Sequence, residues 1–228
     1  DLHKLFSIIF TWNDEYVDGV KFIKIFWPQT RKFPDSPVID FKDKKLLINI
    51  SMNKSSTHPR ELYSERLNSI RYFEKHQPDN FDLYGVGWDN STTSVNIKKN
   101  NRFEVFPSYR GTLLNKWDAL PNYRFSLCYE NILDETGFIT EKIFDCFRSG
   151  CVPIYWGAPN VTDYVDKNTF IDRRDFKSNK ELENYITKLT QNEYNKIQDA
   201  IKNYLISDRF LKFLPSNFAN TIIKSLNL

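Results

Sequence analysis

The chain predicts an α/β domain built on a parallel sheet with helices on both faces. Three observations predict it. From about residue 44 onward, apolar runs of strand length alternate with stretches of helical spacing, as a parallel sheet with crossover helices requires. Residues 123–157, YRFSLCYENILDETGFITEKIFDCFRSGCVPIYWG, hold a complete strand–loop–helix–strand unit. Hydrophobic residues make up 40% of the chain, with only seven glycines and ten prolines in 228 residues. A sizeable core is therefore available, and a low-complexity chain is excluded.

Taken in order, Leu2–Trp12 carries the apolar run LFSIIFTW, a buried strand ending in the turn Asn13-Asp14. Residues 19–40, with Pro28, Pro34 and Pro37, read as a loop. Lys44–Met52 has the length and β-branching of a strand. Pro59 precedes a helix over Glu61–His76, with Leu62, Leu67, Ile70 and Phe73 on one face. Phe81–Tyr84 is a short strand closed by Gly85-Val86-Gly87, and residues 88–108 are polar and irregular, with a basic cluster at Lys98–Arg102. Asn115–Leu120 is a short helix. Tyr123–Tyr129 and Val152–Trp156 are strands flanking a helix that Gly150 stops. A short strand is expected at Thr169–Ile171. Helices follow over Lys180–Leu205 and Ser207–Leu226, the second interrupted near Pro215. Right-handed crossovers bring the strand ends Met52-Asn53, Tyr84–Gly87, Glu130-Asn131 and Trp156-Gly157 to one edge. Such sheets bind ligands there.

Net charge is 32 − 29 = +3, which does not suggest a nucleic-acid or membrane-surface binder. Cys128, Cys146 and Cys151 lie in or beside apolar runs and read as buried free thiols of a reducing compartment. There is no CxxC pair and His3, His58 and His76 are far apart, so no zinc site is expected. GxxxxGK[ST], GxSxG and HExxH are absent, and Gly85-x-Gly87 lacks the third glycine and immediate helix of a dinucleotide fingerprint. No apolar stretch reaches the ~18 residues of a membrane span. The start at Asp1 without a leader pattern reads as an excerpt of a longer or processed protein.

The chemistry concentrates after the strand 123–129. Thr140 is expected to cap the following helix, its hydroxyl accepting a first-turn N–H, with Ile143, Phe144 and Phe147 as the buried stripe. Glu141 and Lys142 then fall in the first turn, facing the crevice. A lysine there opposes the helix dipole unless an anion sits beside it. Glu130-Asn131 offers a polar platform at a strand end. Arg110 and Lys116 are candidates for a diphosphate clamp with Lys142. Taken alone, Glu141-Lys142 also reads as a solvated surface pair, Glu130 as a carboxylate satisfied by a backbone amide, and Arg110 and Lys116 as surface charges.

The run YRFSLCYEN…GFITEKIFDCFRSGCVPIYWGAPN resembles the donor-binding motif of the α-1,3/4-fucosyltransferases, glycosyltransferase family 10. FSIIFTWND (6–14), ELYSERLNSIRYFE (61–74) and DLYGVGW (82–88) extend that resemblance. It implies the carboxyl-terminal half of a GT-B fold: a Rossmann-like GDP-sugar domain over 41–228, with 1–40 as inter-domain connection and first strand. It further implies inverting transfer of L-fucose from GDP-fucose to a glycan hydroxyl, with no metal at the diphosphate. By motif, the resemblance implies that Glu141 binds the ribose hydroxyls, that Lys142 contacts the diphosphate and the fucose side, and that Asn131 helps hold the nucleotide. Glu130 shapes the strand end, and Arg110 is the candidate phosphate arginine. Phe138 stands where the family often has Tyr, losing a hydroxyl. The family's general base lies in an amino-terminal acceptor domain not seen in this chain, so no catalytic residue is assigned. The isolated chain is expected to bind donor without turnover. Alternatives are a GDP-sugar-binding module without transfer activity, or a transferase using another GDP-sugar such as GDP-mannose. The thiols and the missing anchor favour a bacterial cytoplasm; a Golgi lumen fits if an anchor was trimmed.

Overall fold

The computed structural model describes residues 2–30, 39–89 and 105–226; the basic cluster at 98–102 lies outside them. Five parallel strands form the main sheet. They are β3 (Lys45–Ile50), β4 (Phe81–Tyr84), β5 (Tyr123–Tyr129), β6 (Val152–Trp156) and β7 (Ile171–Asp172), in the order β4-β3-β5-β6-β7. The order reverses between β3 and β5, which creates a crevice at their carboxyl ends. The register pairs Leu47 with Phe81 and Phe125, and Phe125 with Val152. The inner strands are buried on both faces, so their apolar runs are continuous rather than alternating.

Helices cover the two faces. On one, α1 (Tyr63–His76) meets α4 (Asn179–Lys188), with the Tyr72 hydroxyl donating to Glu183 at 2.6 Å. On the other, α2 (Glu141–Ser149) packs Phe147 on Tyr204 of α5 (Gln191–Ile206) at 5.8 Å between ring centroids. Phe144 packs on Phe210 of the short α6 (Asp208–Leu211) and on Phe213, and Ile143, Phe144 and Phe147 are buried as the helical spacing predicts. The four-residue α3 (Val161–Tyr164) joins this layer, its Tyr164 carbonyl accepting from the Tyr204 hydroxyl at 3.0 Å, and α7 (Pro215–Ser225), which Pro215 opens, follows. Cys128, Cys146 and Cys151 are buried free thiols. Among the described residues, no helix is long and apolar enough to cross a membrane.

Three expectations need correction. The apolar run at the start yields only a three-residue strand, β1 (Ile9–Thr11), half-buried, while Leu2, Leu5 and Phe6 are exposed. Its partner β2 (Phe22–Lys24) lies within the stretch read as loop. Leu2–Leu5 form a 3-10 helix ahead of this two-stranded parallel sheet with no buried residue, and the strands themselves are covered only in part. The long helix expected over 180–205 is two helices. Thr190 starts the second with a reciprocal capping box to Glu193, the T-x-x-E pattern of a helix start.

Candidate functional site

β5 runs straight into the site. Glu130 continues the ladder, its N–H donating to the Trp156 carbonyl at 2.8 Å, and has no exposed surface. A buried carboxylate must be compensated. Glu130 accepts the Thr140 amide at 2.9 Å, the Thr140 hydroxyl at 2.9–3.0 Å and the Lys142 ammonium at 2.7 Å. Arg66 of α1, itself buried, donates to the carbonyls of Tyr129 and Glu130 at 2.8 and 3.0 Å and pins the strand end from behind.

The expected cap by Thr140 is not made. Thr140 occupies the cap position with extended backbone, but its hydroxyl has one proton and gives it to the ionic acceptor Glu130 while accepting from Lys142 at 2.9 Å. The consequence is chemical: the amino end of α2 has no side-chain cap among the described residues. Its first-turn N–H groups remain available to an anion. Burial pushes the Lys142 ammonium toward lower pKa, but the Glu130 charge and hydrogen bond outweigh this and hold it above the usual lysine value. It is therefore a fixed cation beside that helix end.

The other predicted residues are distributed unequally. Glu141, the first residue of α2, and Asn131 are exposed at the same edge; the Asn131 carbonyl accepts from Leu62 N–H at 3.1 Å. Phe138 is half-buried two residues before Thr140 and packs against Trp12. Arg110 and Lys116 are paired with carboxylates other than Glu130. Arg110 is bound to Asp82 at 2.7 Å and to the Pro107 carbonyl at 3.0 Å, while Lys116 pairs with Asp145. Each of the three cations expected in the clamp thus has its own carboxylate partner: Asp82, Asp145 and Glu130. Gly85 has a structural rather than phosphate-binding reason: at φ +129 it packs so tightly on Ser51 that a Cβ would strike the Ser51 carbonyl. Asn160, which carries a glycosylation sequon, donates to Asp14 and accepts from Gly137, so its side chain is already engaged. A polar cavity of about 150 Å³, lined by Lys44, Leu46 and Arg124 among others, opens at the opposite edge of the sheet and contains none of these residues. Arg66 was legible as an oddity: it falls at the core positions 62, 66, 70 and 73, where an arginine needs a buried partner. Trp12 and Asp14 appeared only within the run FSIIFTWND and the turn Asn13-Asp14; their contacts to Phe138, Asn160 and Tyr164, over a hundred residues away, left no mark in the sequence.

The sheet order, the two helical layers and the crevice at the strand reversal are those of a GT-B glycosyltransferase. A solved alpha1,3-fucosyltransferase with GDP matches 99% of this chain and 71% of its own at TM-score 0.61 and 17% identity. A mutant of S. aureus TarM matches the whole chain and 45% of its own at TM-score 0.61 and 13% identity. At these identities the likeness is one of fold. Residues 41–205 match glycosyltransferase family 10 (fucosyltransferase) C-term, well over half of the chain, and the chain belongs to that family. An alpha-(1,3)-fucosyltransferase of Helicobacter pylori is 32% identical over 127 residues, 56% of this chain and 21% of that relative. An alpha-(1,4)-fucosyltransferase of Arabidopsis thaliana is 44% identical over 71 residues, 31% of this chain and 18% of that relative. The matched part thus spans about a fifth of these relatives' length.

Proposed function

We propose that this domain holds GDP-fucose in the crevice between β3 and β5, as the donor half of an inverting fucosyltransferase. The observation that carries the reading is the Glu130–Thr140–Lys142 assembly. It leaves a fixed ammonium beside an uncapped helix end, a combination suited to a diphosphate. In this reading Lys142 and the α2 amides, rather than a divalent ion, neutralise the diphosphate and then the departing GDP. Glu141 accepts from the ribose hydroxyls, and Asn131 contacts the nucleotide from the end of β5. Arg110 supplies a second cation; it shares Asp82 with Lys45, so that carboxylate stays compensated when Arg110 turns to the ligand. Glu130 works only through Lys142 and Thr140, because it is buried. A base deprotonates the acceptor hydroxyl as the C1–O bond to GDP breaks. None of the acids at this edge takes that role, which falls to a residue outside the chain.

Calorimetric titration in EDTA with GDP, GDP-fucose, GDP-mannose, UDP and ADP tests this. GDP and GDP-fucose are expected to bind and UDP and ADP not to. Equal or absent binding across the set sinks the donor-site reading, and binding only after a divalent metal is restored sinks its metal-free part. The isolated chain is expected to yield no fucosylated product.

A further inference from the structure

The loop of residues 131–139 joins β5 to α2, and its second half is held by residues more than a hundred positions earlier. Asp134 stands in the left-handed region at φ +57 and Gly137 at φ +76. Arg60 grips the first half, donating to the Asp134 carbonyl at 3.1 Å and to the Glu135 carboxylate. The second half docks on the amino-terminal segment. The Asp14 N–H donates to the Thr136 carbonyl at 3.3 Å, and the Asn13 amide to Glu135 at 3.1 Å. The Gly137 N–H donates to Asn160 at 2.9 Å, and Asn160 in turn donates to Asp14 at 2.8 Å. Asp14 also accepts from Lys24 at 2.6 Å and from the Tyr164 hydroxyl at 2.7 Å. At Gly137 there is no space for a side chain: a Cβ would lie 2.5 Å from the Trp12 carbonyl and 2.7 Å from the Asp14 carboxylate, and would strike Lys24. One residue on, the Phe138 ring lies on Trp12, centroids 4.7 Å apart at 50°. Two residues after that comes Thr140, the start of the Glu130–Lys142 assembly.

We propose that Trp12 and Asp14 are positioning residues for the donor loop. Asp14 fixes the backbone at Gly137 through Asn160, and Trp12 fixes the Phe138 ring. Together they set where Thr140 and Glu141 stand relative to the end of β5. Residues 9–25 then act as part of the donor-binding unit instead of a connection running past it. The effect on ligand rests on the GDP-sugar reading above; the effect on the loop does not.

The test compares Trp12→Ala, Trp12→Phe and Asp14→Asn in the full chain by amide hydrogen exchange and by GDP-fucose titration. Exchange over 133–142 is expected to rise roughly tenfold in Trp12→Ala and Asp14→Asn, with β5 and β6 unchanged and Trp12→Phe close to wild type. The GDP-fucose Kd is expected to rise roughly fivefold in Trp12→Ala, the scale of one aromatic pair, and to recover in Trp12→Phe. Unchanged exchange over 133–142, or a rise shared equally with β5 and β6, overturns the proposal whether or not nucleotide binds. A wild type that binds no GDP overturns the donor-site reading alone, and the exchange result then decides this one.

Discussion

Glu130 and Asp82 are carboxylates buried in the same parallel sheet, yet they are compensated in different ways. Glu130 has one cation, Lys142, plus the amide and hydroxyl of Thr140. All these partners come from the loop and helix that follow β5. Asp82 has two cations, Lys45 and Arg110, both at 2.7 Å, and the Tyr123 hydroxyl at 2.6 Å. Its partners come from three separate segments, and the side chains of Lys45 and Arg110 stay 46% and 41% exposed. The Lys142 side chain is 29% exposed and lies against a carboxylate with no exposure at all. The lesson is that one chemistry, a buried anion, serves two ends. At Asp82 it ties the starts of β3 and β5 to the edge strand with cations that water can also satisfy. At Glu130 it fixes a single ammonium at the edge where β5 and α2 meet.

The sharpest way to break this comparison is Lys142→Ala. Stranding Glu130 without its cation is expected to cost about 3–5 kcal/mol of stability in urea unfolding. The double variant Glu130→Gln/Lys142→Met is expected to recover most of that, since neither charge is then buried alone. A loss in Lys142→Ala no larger than that of Asp82→Asn would dissolve the distinction. Asp82→Asn comes next, at about 1–2 kcal/mol by the same measurement. The amide oxygen still accepts from Tyr123, and the two released cations are largely solvated already. Recovery of full stability in Asp82→Asn would mean that the Asp82 cluster contributes nothing to the sheet.

The smallest effect is in pH dependence. Burial pushes the Asp82 carboxyl up, but Lys45, Tyr123 and Arg110 outweigh it and hold it below its ordinary value of 3.8. A depressed carboxylate contributes stability that is present above its unfolded value and lost as pH falls through its folded value. Lys142 has the opposite sign: held above 10.5, it contributes fully below that value and loses its contribution as pH rises past its folded value. Between them lies a broad neutral plateau from these two groups. Below about pH 4, wild-type stability is expected to fall more steeply than that of Asp82→Asn, by up to about 1.4 kcal/mol per pH unit, the weight of one proton. Parallel acid limbs in thermal melts of the two proteins would show that Asp82 does not take up that proton on unfolding.

Much of the architecture was legible because it is written locally. β4, β5 and β6 each fill one apolar run with defined ends, and α2 reads from the spacing of Ile143, Phe144 and Phe147 and from Gly150. The start of the chain misled because an apolar run such as LFSIIF predicts burial only if something covers it, and β2 alone does not. The break at Thr190 was readable in principle from T-x-x-E; the continuous helical spacing on both sides hid it. At the candidate site, the edge carrying Glu130, Asn131, Thr140, Glu141 and Lys142 follows from their order along the chain. The placement of Arg110 on Asp82 does not, since the two are joined through a strand end and a long intervening segment.

The sequence by itself determined the elements and the edge on which the chemistry gathers, because periodicity, caps and strand ends are properties of a few adjacent residues. Only the tertiary structure decided which acceptor takes the Thr140 proton, that Lys142 answers Glu130, that Arg110 rests on Asp82, and that Trp12 and Asp14 hold the loop before α2. Those choices depend on which groups the fold brings within about 3 Å of one another. A hydroxyl, an ammonium or a guanidinium carries no local mark of the partner that tertiary packing will supply.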